Sequence, residues 1–185
     1  MATALAVRDE LVRHVPSLRA FARTLVSDAS RADDLVQEAI LKAWSNLDKF
    51  QEGTDLRAWM FTILRNSFYS ELRKRRREVE DADGKYAASF SVQPAQEHVV
   101  NLTDFNRALA QLPPDQREAL VLVGASGFSY EEAAAICNCA TGTVKSRVNR
   151  ARRRLAEMLG LDAASIALAD GPIRSAPNLL GGVPV

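Results

Sequence analysis

Cysteine, histidine and long apolar runs are what this chain has least of, and each scarcity closes off a class of function. Two cysteines occur, Cys137 and Cys139, one residue apart, and the two histidines, His14 and His98, lie far from them in sequence. A structural zinc site takes about four such ligands, so no metal is expected, and the cysteines read as small buried side chains. No pairing of His, Cys or carboxylates suits catalysis and no glycine-rich loop suits a phosphate, so neither an enzyme nor a cofactor is expected. No apolar run approaches the roughly 20 residues of a membrane span. The opening MATALAVRDE sets charges where a secretory signal would be apolar. A cytoplasmic protein without a membrane partner is expected, in a compartment where disulfides are rare.

Strand-like alternation is also nearly missing, whereas charge is abundant and unevenly placed. The composition, 47% hydrophobic and 25% charged, is that of a globular chain. Its formal net charge of +1 hides a strong polarity, because 12 of the 24 Lys and Arg lie in residues 65–77 and 145–154, alongside a single acid, Glu71. Those segments carry about +11 and the remainder about −10. Two basic segments roughly 80 residues apart suggest two contacts on one polyanion, with nucleic acid the expected partner.

Helical periodicity fills most of the chain. Leu11, Val15, Leu18, Phe21 and Leu25 share a face of a first helix that Pro16 is expected to bend or restart. The run SRAD reads as a capping box, with Ser30 at the cap and Asp33 three residues on. In the helix it opens, Leu35, Val36, Ala39, Ile40, Ala43, Trp44 and Leu47 fill one side, and Asp34, Gln37, Glu38, Leu41 and Ser45 form a stripe on the other. An apolar leucine among acids suits a protein partner, although a singly exposed leucine is also ordinary. A third helix is expected from near Asp55, with Leu56, Trp59, Met60 and Ile63 inward. Phe61 and Phe68 lie well round from that face, which implies packing on more than one side. Asn66 sits near the edge of the buried face, where either a structural hydrogen bond or a base contact is open to it.

Residues 78–98 break the pattern with four acids in six residues, then Gly84 and Pro94, and read as a flexible linker. Beyond it, Thr103 precedes a helix with Phe105, Leu109 and Leu112 inward. Pro113 and Pro114 stop that helix and start the next, which ends at Gly124 and Gly127. Ser129 and Glu132 form a second capping box, opening a short alanine-rich helix, and the turn NCAT follows. In the last helix Val144, Val148, Ala151 and Leu155 fall within one narrow arc. Opposite them stand Ser146, Asn149, Arg150 and Arg153, with Lys145 and Arg152 on one shoulder and Arg147 and Arg154 on the other. Alone, such a helix could simply face water. After a capped helix and a tight turn it makes a helix-turn-helix, with Lys145, Ser146, Asn149 and Arg150 placed for bases and Arg152, Arg153 and Arg154 more for phosphates.

The segments DDLVQEAILKAW, LRAWMFTILRN, RKRRRE, LPPDQREALVLVGASGFSYEEAA and GTVKSRVNRARRRL resemble, in order and spacing over about residues 8–160, the successive regions of sigma factors of the extracytoplasmic-function type. More narrowly they resemble the EcfG-type factors of the bacterial general stress response. The resemblance implies an all-α fold of two small helical domains. Residues 1–77 would bind core RNA polymerase and the melted minus-10 element, and residues 99–160, a helix-turn-helix domain, would bind the minus-35 duplex. It implies that Asp34, Gln37, Glu38 and Leu41 dock on the clamp helices of the beta-prime subunit. It implies, too, that Asn66 contacts the minus-10 strand and that the loop from Phe50 to Asp55 forms the pocket for an unstacked base, while Arg73, Lys74, Arg75, Arg76 and Arg77 hold the backbone. A small helical anti-sigma factor of the NepR kind is implied as a further partner.

Two other readings compete. A sigma mimic, a pure protein-interaction module, would have no need of Arg150 or of the 73–77 cluster and would carry a receiver segment, which these residues do not resemble. An ordinary helix-turn-helix regulator would have no need of the Asp34, Gln37, Glu38 and Leu41 stripe. Residues 161–185 are expected to be a mobile tail and carry no assigned role.

Overall fold

A computed structural model describes residues 2–26, 28–51, 53–80 and 102–161, and among them every regular element is helical. Helices α1 (Ala2–Leu25), α2 (Ala29–Ser45) and α3 (Leu56–Glu80) form a first bundle, with a 3-10 turn at Leu47–Lys49. Helices α4 (Leu102–Gln111), α5 (Pro114–Gly124), α6 (Tyr130–Cys137) and α7 (Thr141–Leu159) form a second. Of the linker expected over residues 78–98, the first three instead continue α3 as helix to Glu80, and residues 81–98 lie outside the described residues. The expected tail lies outside them as well, from residue 162 on.

The first bundle buries Leu18, Phe21 and Leu25 of α1, Leu35, Val36, Ala39 and Ala43 of α2, and Leu56, Met60, Leu64 and Phe68 of α3. Pro16 neither ends nor restarts α1. It removes the donor for the Val12 carbonyl, but Val12 and Pro16 are both exposed, so water can serve that group. The cap of α2 is Asp28 rather than Ser30. The Asp28 carboxylate accepts from the Arg31 N–H at 2.8 Å, and Ser30 lies inside the first turn. Asp33, expected in the box, pairs with Arg19 at 2.7 Å instead. Asp55 caps α3, accepting from the Ala58 N–H at 3.1 Å.

In the second bundle, α5 and α7 clasp Ala119, Leu122, Val144, Val148, Ala151 and Leu155 between them. Ser129 and Glu132 close both bonds of the capping box. Asn138 then takes a left-handed φ of 50°, its N–H returning to Ala134 and Ala135, and so turns the chain from α6 into α7. The helix-turn-helix is therefore in place. Phe105, expected inward, is 37% exposed, and the burial described along α4 falls at Ala108 and Leu109, with Leu112 just beyond its end.

The two bundles also pack on each other, α1 against α5 and α3 against α6. Phe61 stacks on Phe21 at 5.0 Å and meets the edge of Phe128 at 5.0 Å, which accounts for its place off the main core face. Arg57 lies 4.3 Å over the Phe128 ring and donates to the Ser126 carbonyl. Glu118 of α5, fully buried, accepts from Arg65 Nε and, at 2.7 Å, from Tyr69 Oη, both on α3.

Candidate nucleic-acid interface

On α7 the apolar arc is spent on the bundle, which leaves the opposite arc outward. Lys145, Asn149, Arg150 and Arg153 are exposed and Ser146 is half-buried. Lys145 Nζ stands 5.6 Å over the Tyr130 ring, and Arg153 Nε lies 3.8 Å from Glu157. Among the described residues Arg150 makes no ion pair. Arg147, on the shoulder, is held back by Asp115 at 3.2 Å and by the Cys139 sulfur at 3.8 Å, so it braces the helix on α5 and on the turn. Exposed guanidinium and amide groups on one arc of a helix that follows a tight turn can reach base edges in a major groove.

The first bundle presents a second basic surface at the end of α3. Asn66 is exposed, as are Arg73, Lys74, Arg75 and Arg77, while the side chain of Arg76 lies outside the described residues. These groups differ in availability. Glu71 binds Arg75 at 2.6 Å and Arg31 at 3.2 Å, so Arg75 is tied to the link between α3 and α2. Phe50 is half-buried, its ring 5.3 Å from that of Trp59, which fixes one wall of the Phe50 to Asp55 loop. Gly53 has a φ of 88°, a conformation that any other side chain would strain, and Thr54 bonds back to Gln51.

A third exposed face has a different chemistry. Asp34, Gln37, Glu38 and Leu41 all face outward on α2, with Leu41 68% exposed. Trp44, expected in the core, is 49% exposed and extends this face. The spacing from Gln37 to Leu41 to Trp44, four then three, repeats the period of the stripe and could have been read as part of it. Glu38 pairs with Lys42 at 2.5 Å, and Lys42 reaches on to the buried Ser67 hydroxyl at 2.9 Å, so one acid of the stripe is oriented by α3.

Sequence reasoning also missed the group around Glu118. An acid inside the run REALVLV was the available signal. Cys137 Sγ approaches Glu118 Oε1 at 3.5 Å, and burial together with the Glu118 charge pushes its thiol up to about 12, so Cys137 is an inert packing group. Burial and the same carboxylate also raise Tyr69. Burial would lower Arg65, but the charge of Glu118 and its hydrogen bond outweigh this and raise it. Burial lowers Arg57, outweighing the opposing charges of Asp55 and Glu132, and its hydrogen bond to the second bundle ends on the Ser126 carbonyl. No group of metal-ligating residues exists among the described residues, and no helix there is long and apolar enough to cross a membrane.

Residues 11–78 match the family model of sigma-70 region 2, and residues 102–155 match that of sigma-70, region 4. The chain is 57% identical over 176 residues, 95% of it and 96% of the relative, to the ECF RNA polymerase sigma factor EcfG of Rhodopseudomonas palustris. It is 36% identical over 70% of its length, and 71% of the relative's, to the ECF RNA polymerase sigma factor SigC of Mycobacterium tuberculosis. Among solved structures it is similar to the sigma factor RpoE of Bartonella quintana, seen in complex with the anti-sigma factor NepR. The identity there is 56% and the TM-score 0.72, over 83% of this chain and 96% of that one.

Proposed function

The chain belongs to the extracytoplasmic-function family of RNA polymerase sigma factors, and we propose that it directs core polymerase to stress-response promoters, reading the minus-35 duplex through α7 and the melted minus-10 strand around Asn66. One observation carries this reading. Two exposed basic surfaces share a chain with a third exposed face, on α2, whose apolar and acidic side chains are unsuited to DNA and suited to a protein. A sole helix-turn-helix regulator has no use for that third face, and a sigma mimic has no use for Arg150.

Roles follow from chemistry. Leu41 and Trp44 offer an apolar anchor to the beta-prime clamp helices, and Asp34 and Glu38 offer charges that set its register. Lys145, Ser146, Asn149 and Arg150 read base edges, and Arg153 holds phosphate. Asn66 and the Phe50 loop take an unstacked base, with Arg73, Lys74 and Arg77 along the strand. This work belongs to the cytoplasm, where polymerase and promoters are. Transcription with purified core polymerase tests the reading. Leu41→Ala and Trp44→Ala should each weaken holoenzyme assembly at least tenfold, and Asn66→Ala should cut promoter opening while sparing minus-35 binding. Unchanged assembly in both α2 variants would remove that face from the account.

The relative from Bartonella quintana was seen with NepR, which supports a small anti-sigma factor of that kind as a partner here. The α2 face that would dock on polymerase serves such an inhibitor equally well, so the two should compete. A stable ternary complex of inhibitor, this chain and core polymerase would overturn that competition.

A further inference from the structure

Arg147 belongs to the basic run of α7, yet its charge is turned back into the second bundle. Its side chain is 25% exposed, and Nε lies 3.2 Å from Asp115 Oδ2 on α5. The same guanidinium donates toward the Cys139 sulfur at 3.8 Å, a weak acceptor in the turn that precedes α7. Arg153, by contrast, meets Glu157 on its own helix, a pair that ties α7 to no other element. Asp115 stands in the first turn of α5, where the helix dipole favours a negative charge and where Pro113 supplies no side-chain cap. The Arg147 guanidinium therefore links α7 to α5 and to the turn at once.

The apolar packing of α7 shows what such a link can add. Through its first turns the buried arc is Val144, Val148 and Ala151, facing Ala119 and Leu122 of α5. Small side chains let two helices approach closely, but their low ridges oppose rotation about the helix axis only weakly. With its side chains a helix is about 10–12 Å across, so a roll of about 10° carries a group at the rim through about 1 Å. Such a roll slides the small side chains along α5 rather than lifting them off it. It also misplaces Lys145, Ser146, Asn149 and Arg150 together, whereas a recognition constellation must be held to within about 0.5 Å.

We propose that Arg147 is a positioning residue for promoter recognition: locked to Asp115 and backed by the Cys139 sulfur, it fixes the roll of α7 so that the outer arc meets base edges in register. It gives none of its charge to DNA, because Asp115 neutralises it. An exposed pair of this kind contributes little to stability, so its loss is read in discrimination rather than in folding. The inference rests on the reading of α7 as the helix that enters the duplex.

Asp115→Asn in the full chain tests it, since the change keeps the shape, removes the charge and touches no group on the outer arc. Fluorescence anisotropy gives the affinity for a minus-35 duplex and for duplexes carrying each single base-pair change, at several salt concentrations. Wild type should prefer the parent duplex. Asp115→Asn should lose about threefold of that preference, within what an exposed pair can supply, at every base pair that is read. Arg150→Ala should flatten it only at the base pair that Arg150 reads. The log–log salt slope and the melting temperature should be little changed in Asp115→Asn. Asp115→Glu, which restores the charge, should recover most of the preference. Arg147→Lys, which keeps a cation but loses the planar fork that reaches both Asp115 and the sulfur, should fall between. Preference retained in Asp115→Asn with a slope steeper by about 0.9 would show that Asp115 restrains a phosphate-binding arginine, and would overturn the inference. A lowered melting temperature with preference intact would overturn it as well, leaving the pair a structural role alone. A wild-type chain with no preference among duplexes would remove the duplex reading and this inference with it, whereas a wild-type preference that survives in the variant removes the inference alone.

Discussion

The two basic segments hold six Lys or Arg each, yet α3 and α7 make different use of them. In α7 a single apolar arc faces the bundle and the remaining circumference is open, so most of its cations point at whatever comes to the surface. In α3 the helix is enclosed by α1, α2 and α6, and part of its charge is consumed inside the molecule. Arg65 is bound to Glu118, and Arg75 shares Glu71 with Arg31. Equal charge in a sequence is therefore not equal charge available to DNA. One segment is left largely open to a partner, and the other is a structural strut with only its far end exposed.

That contrast is sharpest in stability. Phe61, wholly buried between Phe21 and Phe128, should cost about 3–5 kcal/mol when replaced by alanine, because both ring contacts are lost and a cavity is left. Asn149→Ala on the open arc of α7 should change stability by less than about 0.5 kcal/mol. Chemical denaturation followed by circular dichroism measures both. A small effect at Phe61 would mean that α3 is not enclosed in solution.

In DNA binding the contrast reverses. Arg150→Ala should cost about 1–3 kcal/mol on the preferred minus-35 duplex and flatten the preference among sequences, whereas Arg153→Ala should weaken all duplexes alike. Binding titrations over a panel of duplexes separate the two. Equal losses on every sequence would show that the groove-facing arc has been misplaced.

How far the sequence disclosed all this follows the same division. The second bundle was legible nearly in full, since its caps, its turn and its apolar arc are local signals: Ser129 with Glu132, Pro113 with Pro114, and Val144 through Leu155. The first bundle was legible in its helices but less so in its details. Trp44 satisfied the core period and the outer stripe about equally, and only packing decides that it faces out. Ser30 and Asp28 are both good caps two residues apart, and the carboxylate won because the helix begins at Ala29. The Glu118 group was not legible, because its partners lie 53 and 49 residues away and no local pattern links them. The assignments of function to Asn66, Arg73 and the α2 face rest on resemblance and exposure together.

The cap is itself testable. Asp28→Ala should destabilise the first bundle by about 1 kcal/mol, the ordinary value of an N-cap carboxylate, and Ser30→Ala should change it by less than half of that. Thermal melts of the two variants decide which residue opens α2. A larger loss at Ser30 would restore the capping box that the sequence suggested.

The smallest expected effect tests the opening comparison most directly. Arg73 and Arg75 are neighbours in one basic cluster and both are exposed, but Arg75 lies 2.6 Å from Glu71, whereas among the described residues Arg73 makes no ion pair. A cation released to DNA neutralises a phosphate and frees counterions, so its loss should lower the salt dependence of single-strand binding by about 0.7 in the log–log slope. Arg73→Ala should show that change. Arg75→Ala should show less than half of it, because binding a phosphate through Arg75 requires giving up Glu71, which in turn loosens Arg31 and the seam between α2 and α3. Titrating a minus-10 single strand from low to moderate salt gives both slopes. Equal slopes would mean that the ion pair dissolves on the DNA surface and that the end of α3 is as open to a partner as the outer arc of α7.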